Sequence, residues 1–278
     1  MNEAHIKPLA DAIYADKVRR ARSLTEGERM DTAIELFEGA LGMMRDGLRA
    51  QFPTAGEAEL EITLRKRLRR LRQVGEHGIY QKASACFMKD GYEATRRVVE
   101  TFSRLGIPHM IVGGLSSNAY GIPRATKDAD IVLAVDTKAL FEAAAELGPD
   151  FALDDQGSFE MVTGTMRYHL RVPKIAFEVE LFMLSSDPHD QARFERRRKV
   201  NSKQIGTEIM VPTAEDVIVM KLRWAQIAKR GKDRDDVRDV IAVQGDEALD
   251  WDYIHHWCAQ HGTRALLDEI RASIPPLD

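Results

Sequence analysis

The sequence predicts an α+β fold: a mixed sheet with helices, preceded by a helical N-terminal module and followed by a helical C-terminal region. Three observations carry this. Before about residue 80, apolar residues recur at three- and four-residue steps with almost no β-branched runs. From Tyr92 onward, short apolar segments alternate with helical ones. After Pro212 the helical spacing resumes to the end. The 278 residues, against a prior of roughly 150 per domain, divide into a helical module over 1–80 and a linker over 81–91. A core over 92–210 and a C-terminal helical region over 211–278 follow.

The elements follow in order. Thr25 and Glu28 form a capping-box pattern ahead of a helix whose apolar face is Ile34, Leu36, Phe37, Leu41, Met44 and Leu48. Gly47 sits near its end, and Pro53 with Gly56 marks a turn. A second amphipathic helix, 57–74, places Leu60, Leu64, Leu68 and Leu71 on one side. Val98, Val99, Phe102 and Leu105 predict a helix ending at Gly106, and residues 109–112 a short strand behind Pro108. A second strand spans 130–135, with Thr137 capping an alanine-rich helix to Leu147. Strands near 166–171 and 175–183 follow the turn residues Gly157 and Gly164. Thr213 and Asp216 cap a helix over 217–227, and further helices run from about 235, 251 and 265 until Pro275 and Pro276.

Composition bounds the function. Hydrophobic residues make up 44% and charged residues 30%, a globular balance that excludes disordered and fibrous classes. No stretch reaches the ~18 apolar residues of a membrane span, and the N-terminus has no apolar run of signal-peptide length. Cys86 and Cys258 are far apart, as suits free thiols in a reducing compartment, so a cytoplasmic location is expected. The net charge is −4, but it is uneven: residues 1–90 hold 16 basic and 14 acidic side chains, residues 91–278 hold 24 and 30. A mild total charge is therefore no reason to exclude RNA.

The chemistry concentrates between Val112 and Val132. Strand side chains alternate with period two, so Asp128 and Asp130 point to one face and can share a divalent cation, whose remaining positions water and phosphate oxygens fill. Gly113 and Gly114, after a strand and opening a helix, let a phosphate approach backbone N–H groups. Ser116 and Ser117 offer hydroxyl donors. A later strand carries Glu178 and Glu180 on one face among apolar neighbours. A carboxylate there needs a compensating partner, and a metal is one candidate, with Glu180 chosen over Glu178 as third ligand.

This order of features resembles the nucleotidyltransferase fold of polymerase beta-like enzymes, and the segment from Gly121 through Arg124, Thr126, Asp128 and Asp130 resembles its AbiEii-type toxin branch. The stretches 212–222 and 230–237 are similar to that branch's helical lysine motif and its Arg-x-x-Asp-x-x-Asp motif, here Arg230, Asp233 and Asp236. The resemblance covers about residues 108–240. It implies a metal-dependent enzyme, with Mg²⁺ or Mn²⁺ on Asp128, Asp130 and Glu180, that moves a nucleoside monophosphate from an NTP to an acceptor hydroxyl. Gly113, Gly114, Ser116, Ser117, Arg124, Thr126 and Lys221 are the expected nucleotide-binding residues. Lys221, Asp233 and Asp236 join the three carboxylates as expected catalytic or positioning residues. RNA such as tRNA is the implied acceptor, and an antitoxin or regulatory partner is implied beside the NTP. One departure stands out: the family's usual third carboxylate is aspartate, and a glutamate serves here. A small-molecule or protein acceptor, or a nucleotide-binding protein without transfer activity, stays open.

Other features weigh less. The basic run from Arg65 to Arg72 can track a phosphate backbone or be the solvated side of a helix packing through Leu64, Leu68 and Leu71. His255, His256, Cys258 and His261 crowd one helix without a second ligand pair at zinc spacing. Gly114 to Asn118 lacks the closing glycine of a nucleophile elbow, and no Walker-type phosphate loop is present.

Overall fold

The computed structural model describes residues 3–77, 91–126, 128–172 and 177–277. The expected linker over 81–91 lies outside the described residues except for Gly91. The N-terminal region is helical as expected: α1 (Glu3–Arg22), α2 (Glu26–Gln51) and α3 (Glu57–His77). The Thr25 capping box forms, with Glu28 N–H donating to the threonine hydroxyl and the glutamate accepting from Thr25 N–H. Ile34, Leu41 and Leu48 are buried, whereas Leu36 and Met44 of the predicted face are exposed and Gly47 lies within the helix. The face is narrower because α2 meets two different neighbours. Its N-terminal half enters the main core through Met30 and Ile34, and its C-terminal half packs through Leu48 on Leu60 and Leu64 of α3.

The central sheet is built from β1 (His109–Val112), β2 (Asp128–Leu133), β3 (Ala152–Leu153), β4 (Ser158–Glu160), β5 (Thr165–Arg171) and β6 (Glu178–Met183). Its order is β1-β2-β6-β5-β3, with β4 on β5. Among the described residues only β2 and β6 pair in parallel, and that pairing sets Asp130 opposite Glu180 and Asp128 opposite Glu178. Four helices belong to this region: α4 (Gly91–Arg104), α5 (Gly113–Tyr120), α6 (Thr137–Glu146) and α7 (Pro188–Glu195). Asp136, not Thr137, caps α6, accepting from Ala139 N–H at 2.8 Å; the carboxylate one residue earlier reaches that N–H.

A hairpin of β7 (Arg198–Ser202) and β8 (Thr207–Val211) leads to α8 (Ala214–Ala228), α9 (Gly231–Gln244), α10 (Trp251–His261) and α11 (Arg264–Ala272). Thr213 caps α8 as predicted. The largest buried cluster joins α2, α4, the sheet and the C-terminal helices in one core.

Polar contacts strengthen the seam between α2 and the sheet region. Buried Arg29 donates to the carbonyls of Ala119, Ala21 and Leu24. Buried Asp31 accepts from Ser202 Oγ and from Lys203 and Gln204 N–H. Helix α1 adds Val18 and Ala21 against Ala242 and Val243.

Candidate active site

Strand β1 is fully buried and ends at Gly113, whose φ of +64° lies in the left-handed region. A Cβ there would sit 1.7 Å from Asp130 Oδ2. One at Gly114 would sit 2.7 Å from Thr126 Oγ1. The two glycines thus make room for the Asp130 carboxylate and the Thr126 side chain. The first N–H groups of α5 lack a side-chain cap, the polarity that suits an anion.

Most of the residues singled out in the sequence line one open cleft of about 690 Å³: Gly113, Gly114, Ser116, Arg124, Thr126, Asp128, Asp130, Glu180 and Lys221, whereas Asp233 and Asp236 are buried behind the lining residues that they pair with. Ser117 is buried outside that lining. Both serine hydroxyls donate to Gly113 O, at 3.1 and 3.0 Å, so in this state they brace the turn.

Asp130 carries the strongest electrostatic signature. Loss of hydration, then the charges of Asp128 and Glu180, push its carboxyl up to about 8. Burial also raises Glu180, against the pull of Arg167. Thr126 Oγ1 lies 3.3 Å from Asp128 Oδ1. Glu180 accepts from Arg167 Nη1 at 3.2 Å, while Glu178 pairs with His169 at 3.2 Å. As the side chains stand, no group of three His, Cys, Asp or Glu among the described residues is arranged to hold a metal ion. The donor types nevertheless fit a hard divalent cation: among the carboxylates that border the cleft, Asp128, Asp130 and Glu180 come from the paired strands β2 and β6.

Cations that line the same cleft, Arg124, Lys221 and Arg230, are internally paired. Arg124 grips Asp236 with two parallel bonds, Nε to Oδ1 at 2.7 Å and Nη2 to Oδ2 at 2.8 Å. Lys221 Nζ reaches Asp236 Oδ2 at 2.7 Å and Asp233 Oδ1 at 3.0 Å. Arg230 Nε donates to Asp233 Oδ2 at 2.8 Å. Burial alone raises the Asp236 carboxyl, but the Arg124 hydrogen bonds and the Lys221 charge outweigh it and hold it at about 2. Asp233 and Asp236 therefore act on Lys221 and Arg124, the two cations expected at the phosphates.

Sequence reasoning missed Asn118 and Arg167. Asn118 clasps the loop before β2, donating to Arg124 O at 2.9 Å and accepting from Arg124 N–H at 3.0 Å. Its signal was an amide beside the Gly-Gly turn. Arg167 had none, since only sheet register brings it to Glu180.

Residues 101–241, half of the chain, match the family model described as nucleotidyl transferase AbiEii toxin, type IV TA system. Residues 22–85 match an Rv0078B-related antitoxin model. Similar solved structures include an antigenic nucleotidyltransferase-like protein from Paracoccidioides brasiliensis, at 21% identity over 67% of this chain and 94% of that one, with TM-score 0.42. ANT(2″)-Ia in complex with adenylyl-2″-tobramycin matches at 12% identity over 63% and 98%, TM-score 0.43. JHP933 from Helicobacter pylori matches at 14% over 69% and 83%, TM-score 0.39. No curated protein matches the chain. The chain belongs to the AbiEii nucleotidyl transferase toxin family and carries an antitoxin-related region at its N-terminus.

Proposed function

We propose that the cleft transfers a nucleoside monophosphate from an NTP to an acceptor hydroxyl, with RNA such as tRNA as acceptor and the cytoplasm as its setting. The carrying observation is that Asp128, Asp130 and Glu180 line one cleft together with Lys221, Arg124 and the Gly113-Gly114 turn. The acceptor oxygen attacks the α-phosphorus, the bond from that phosphorus to the bridging oxygen breaks, pyrophosphate leaves with the electron pair, and the hydroxyl proton passes to water in the open cleft. Asp128, Asp130 and Glu180 would hold Mg²⁺ or Mn²⁺, which supplies charge neutralisation at the attacking and leaving oxygens. Lys221 meets phosphate oxygens as a point charge and Arg124 as a planar donor. Asp233 and Asp236 position both cations. The amides of Gly113 and Gly114 and the hydroxyls of Ser116, Ser117 and Thr126 complete the phosphate-binding turn.

The antitoxin-related region is the regulatory partner in this reading. Ile34, Phe37 and Glu38 of α2 border a small cavity with Thr126 and Asp128, so movement of α2 changes the support behind a catalytic carboxylate. Residues 1–80 thus act as a regulatory module docked on the 92–210 core, with 211–278 supplying Lys221 and Arg230 beside the core's Arg124. Among the described residues no helix is long and apolar enough to cross a membrane.

A second reading, a nucleotide-binding protein without transfer activity, is favoured by one observation: Glu180 is engaged by Arg167. Incubation with each labelled NTP, Mg²⁺ and total cellular RNA separates the two. Label in RNA supports transfer, and NTP binding without label supports the second reading.

A further inference from the structure

Trp224 is the large aromatic side chain that the reading above leaves unused. It lies three residues after Lys221 on α8, a spacing that puts the two on one helix face, and both line the cleft. The indole is half-buried and packs in none of the hydrophobic clusters of the described residues. Trp251 and Trp257, by contrast, both pack against the main core. Core packing therefore does not account for Trp224.

The neighbour that it does have is a cleft residue. The Arg230 guanidinium carbon lies 4.6 Å from the indole centroid, and Asp233 holds Arg230 Nε at 2.8 Å. Arg230 and Lys232 line the same wall. A cation–π pair of this kind presents flat π and guanidinium surfaces, the chemistry on which unstacked nucleobases settle. It stands next to the lysine expected at the phosphates.

We propose that the Trp224–Arg230 pair is the nucleobase platform of the cleft, binding the base of a nucleoside triphosphate by stacking. This rests on the reading of the cleft as an NTP site. Stacking is tolerant of base identity, so all four NTPs use the platform, and a purine, with its larger ring system, overlaps it most. Inorganic tripolyphosphate, which lacks a base, does not engage it.

The test is titration of the full chain with ATP, GTP, CTP, UTP and tripolyphosphate, read by tryptophan fluorescence and by calorimetry. NTPs are expected to quench fluorescence, and tripolyphosphate to bind without quenching. Trp224→Phe should abolish the quenching while keeping most of the affinity. Trp224→Ala should weaken NTP binding roughly tenfold and leave tripolyphosphate affinity unchanged, which also reports an intact fold. NTP binding without a Trp224 signal, equal loss of NTP and tripolyphosphate affinity in Trp224→Ala, or quenching by an oligoribonucleotide but not by NTPs overturns the platform and leaves the NTP site standing. Absence of any NTP binding overturns both.

Discussion

Lys221 Nζ lies between two carboxylates, 2.7 Å from Asp236 and 3.0 Å from Asp233, and Asp236 at the same time holds Arg124 through two bonds. One aspartate therefore holds both cations, in the cleft that Asp128, Asp130 and Glu180 also line. The Arg-x-x-Asp-x-x-Asp spacing on α9 is explained by this clasp: residues three apart share a face, and that face meets Lys221 of α8.

Asp236→Asn should release Arg124 and Lys221 together. Asp236 is 4% exposed and Lys221 11%, and breaking a buried pair by removing one partner costs about 3–5 kcal/mol. The half-exposed Arg124 can recover water contacts, so a loss nearer about 2–3 kcal/mol is expected. Urea denaturation checks the stability, and calorimetry should show weaker NTP binding in the folded fraction.

Acid should act on two histidines and on Asp236 in different windows. His261 is held down to about 4, mainly by burial and then by the Arg223 charge and His189, and burial also lowers His189. Groups with depressed folded values bind more protons when unfolded, so these two histidines subtract stability as pH drops below about 6.5 toward 4, against the opposite contribution of the raised Asp130. Asp236, held at about 2, adds a loss as pH falls below its usual 3.8 toward 2. Denaturation midpoints across pH should show a shallower slope between 6.5 and 4 in His261→Gln, and Asp236→Asn should flatten only the acid end.

Gly113→Ala should be damaging out of proportion to its size. The added methyl meets Asp130 Oδ2 at 1.7 Å and the backbone is left-handed, which costs about 1–2 kcal/mol before any clash. If Asp130 acts as proposed, displacing its carboxylate by about 1 Å costs roughly 10²-fold in transfer. Transfer assays and thermal melts should show both losses, whereas Gly231→Ala, whose methyl meets nothing within 4 Å, should be mild.

The N-terminal region should not be removable without cost. Asp31 accepts three hydrogen bonds across the seam, and Asp31→Ala leaves buried donors unpaired at about 1–3 kcal/mol. Deleting residues 1–80 also uncovers the core around Met30 and Ile34. The truncated chain should melt well below the full chain or aggregate, while deletion of 53–80 alone should leave the core transition close to its original temperature. Calorimetric scans distinguish these outcomes.

What could be read from the sequence was what local periodicity encodes. Period-two alternation put Asp128 and Asp130 on one face, and Thr25 and Thr213 marked helix starts without knowledge of the fold. Helix α1 was not read because its buried contacts, Val18 and Ala21, are too few to make a periodic stripe. The β7–β8 hairpin was missed although Val200, Ile209 and Val211 alternate with exposed or half-buried neighbours and Gly206 turns the chain at φ +74°. Pairings across long separations, such as Arg124 with Asp236 or Arg167 with Glu180, leave no local trace. They depend on sheet register and helix packing.

The most direct measurement compares the wild type with Asp130→Asn for transfer of label from NTP to RNA in Mg²⁺, with thermal melts in parallel. Burial and then the charges of Asp128 and Glu180 disfavour the Asp130 carboxylate, so with a neutral amide there and no divalent cations the variant should melt at or above the wild-type temperature. Mg²⁺ should raise the wild-type midpoint more than that of the variant, and transfer should fall at least about 10²-fold in the folded variant. Equal labelling of RNA by both proteins, or equal stabilisation of both by Mg²⁺, would contradict the assignment of Asp130 as the central metal-binding carboxylate.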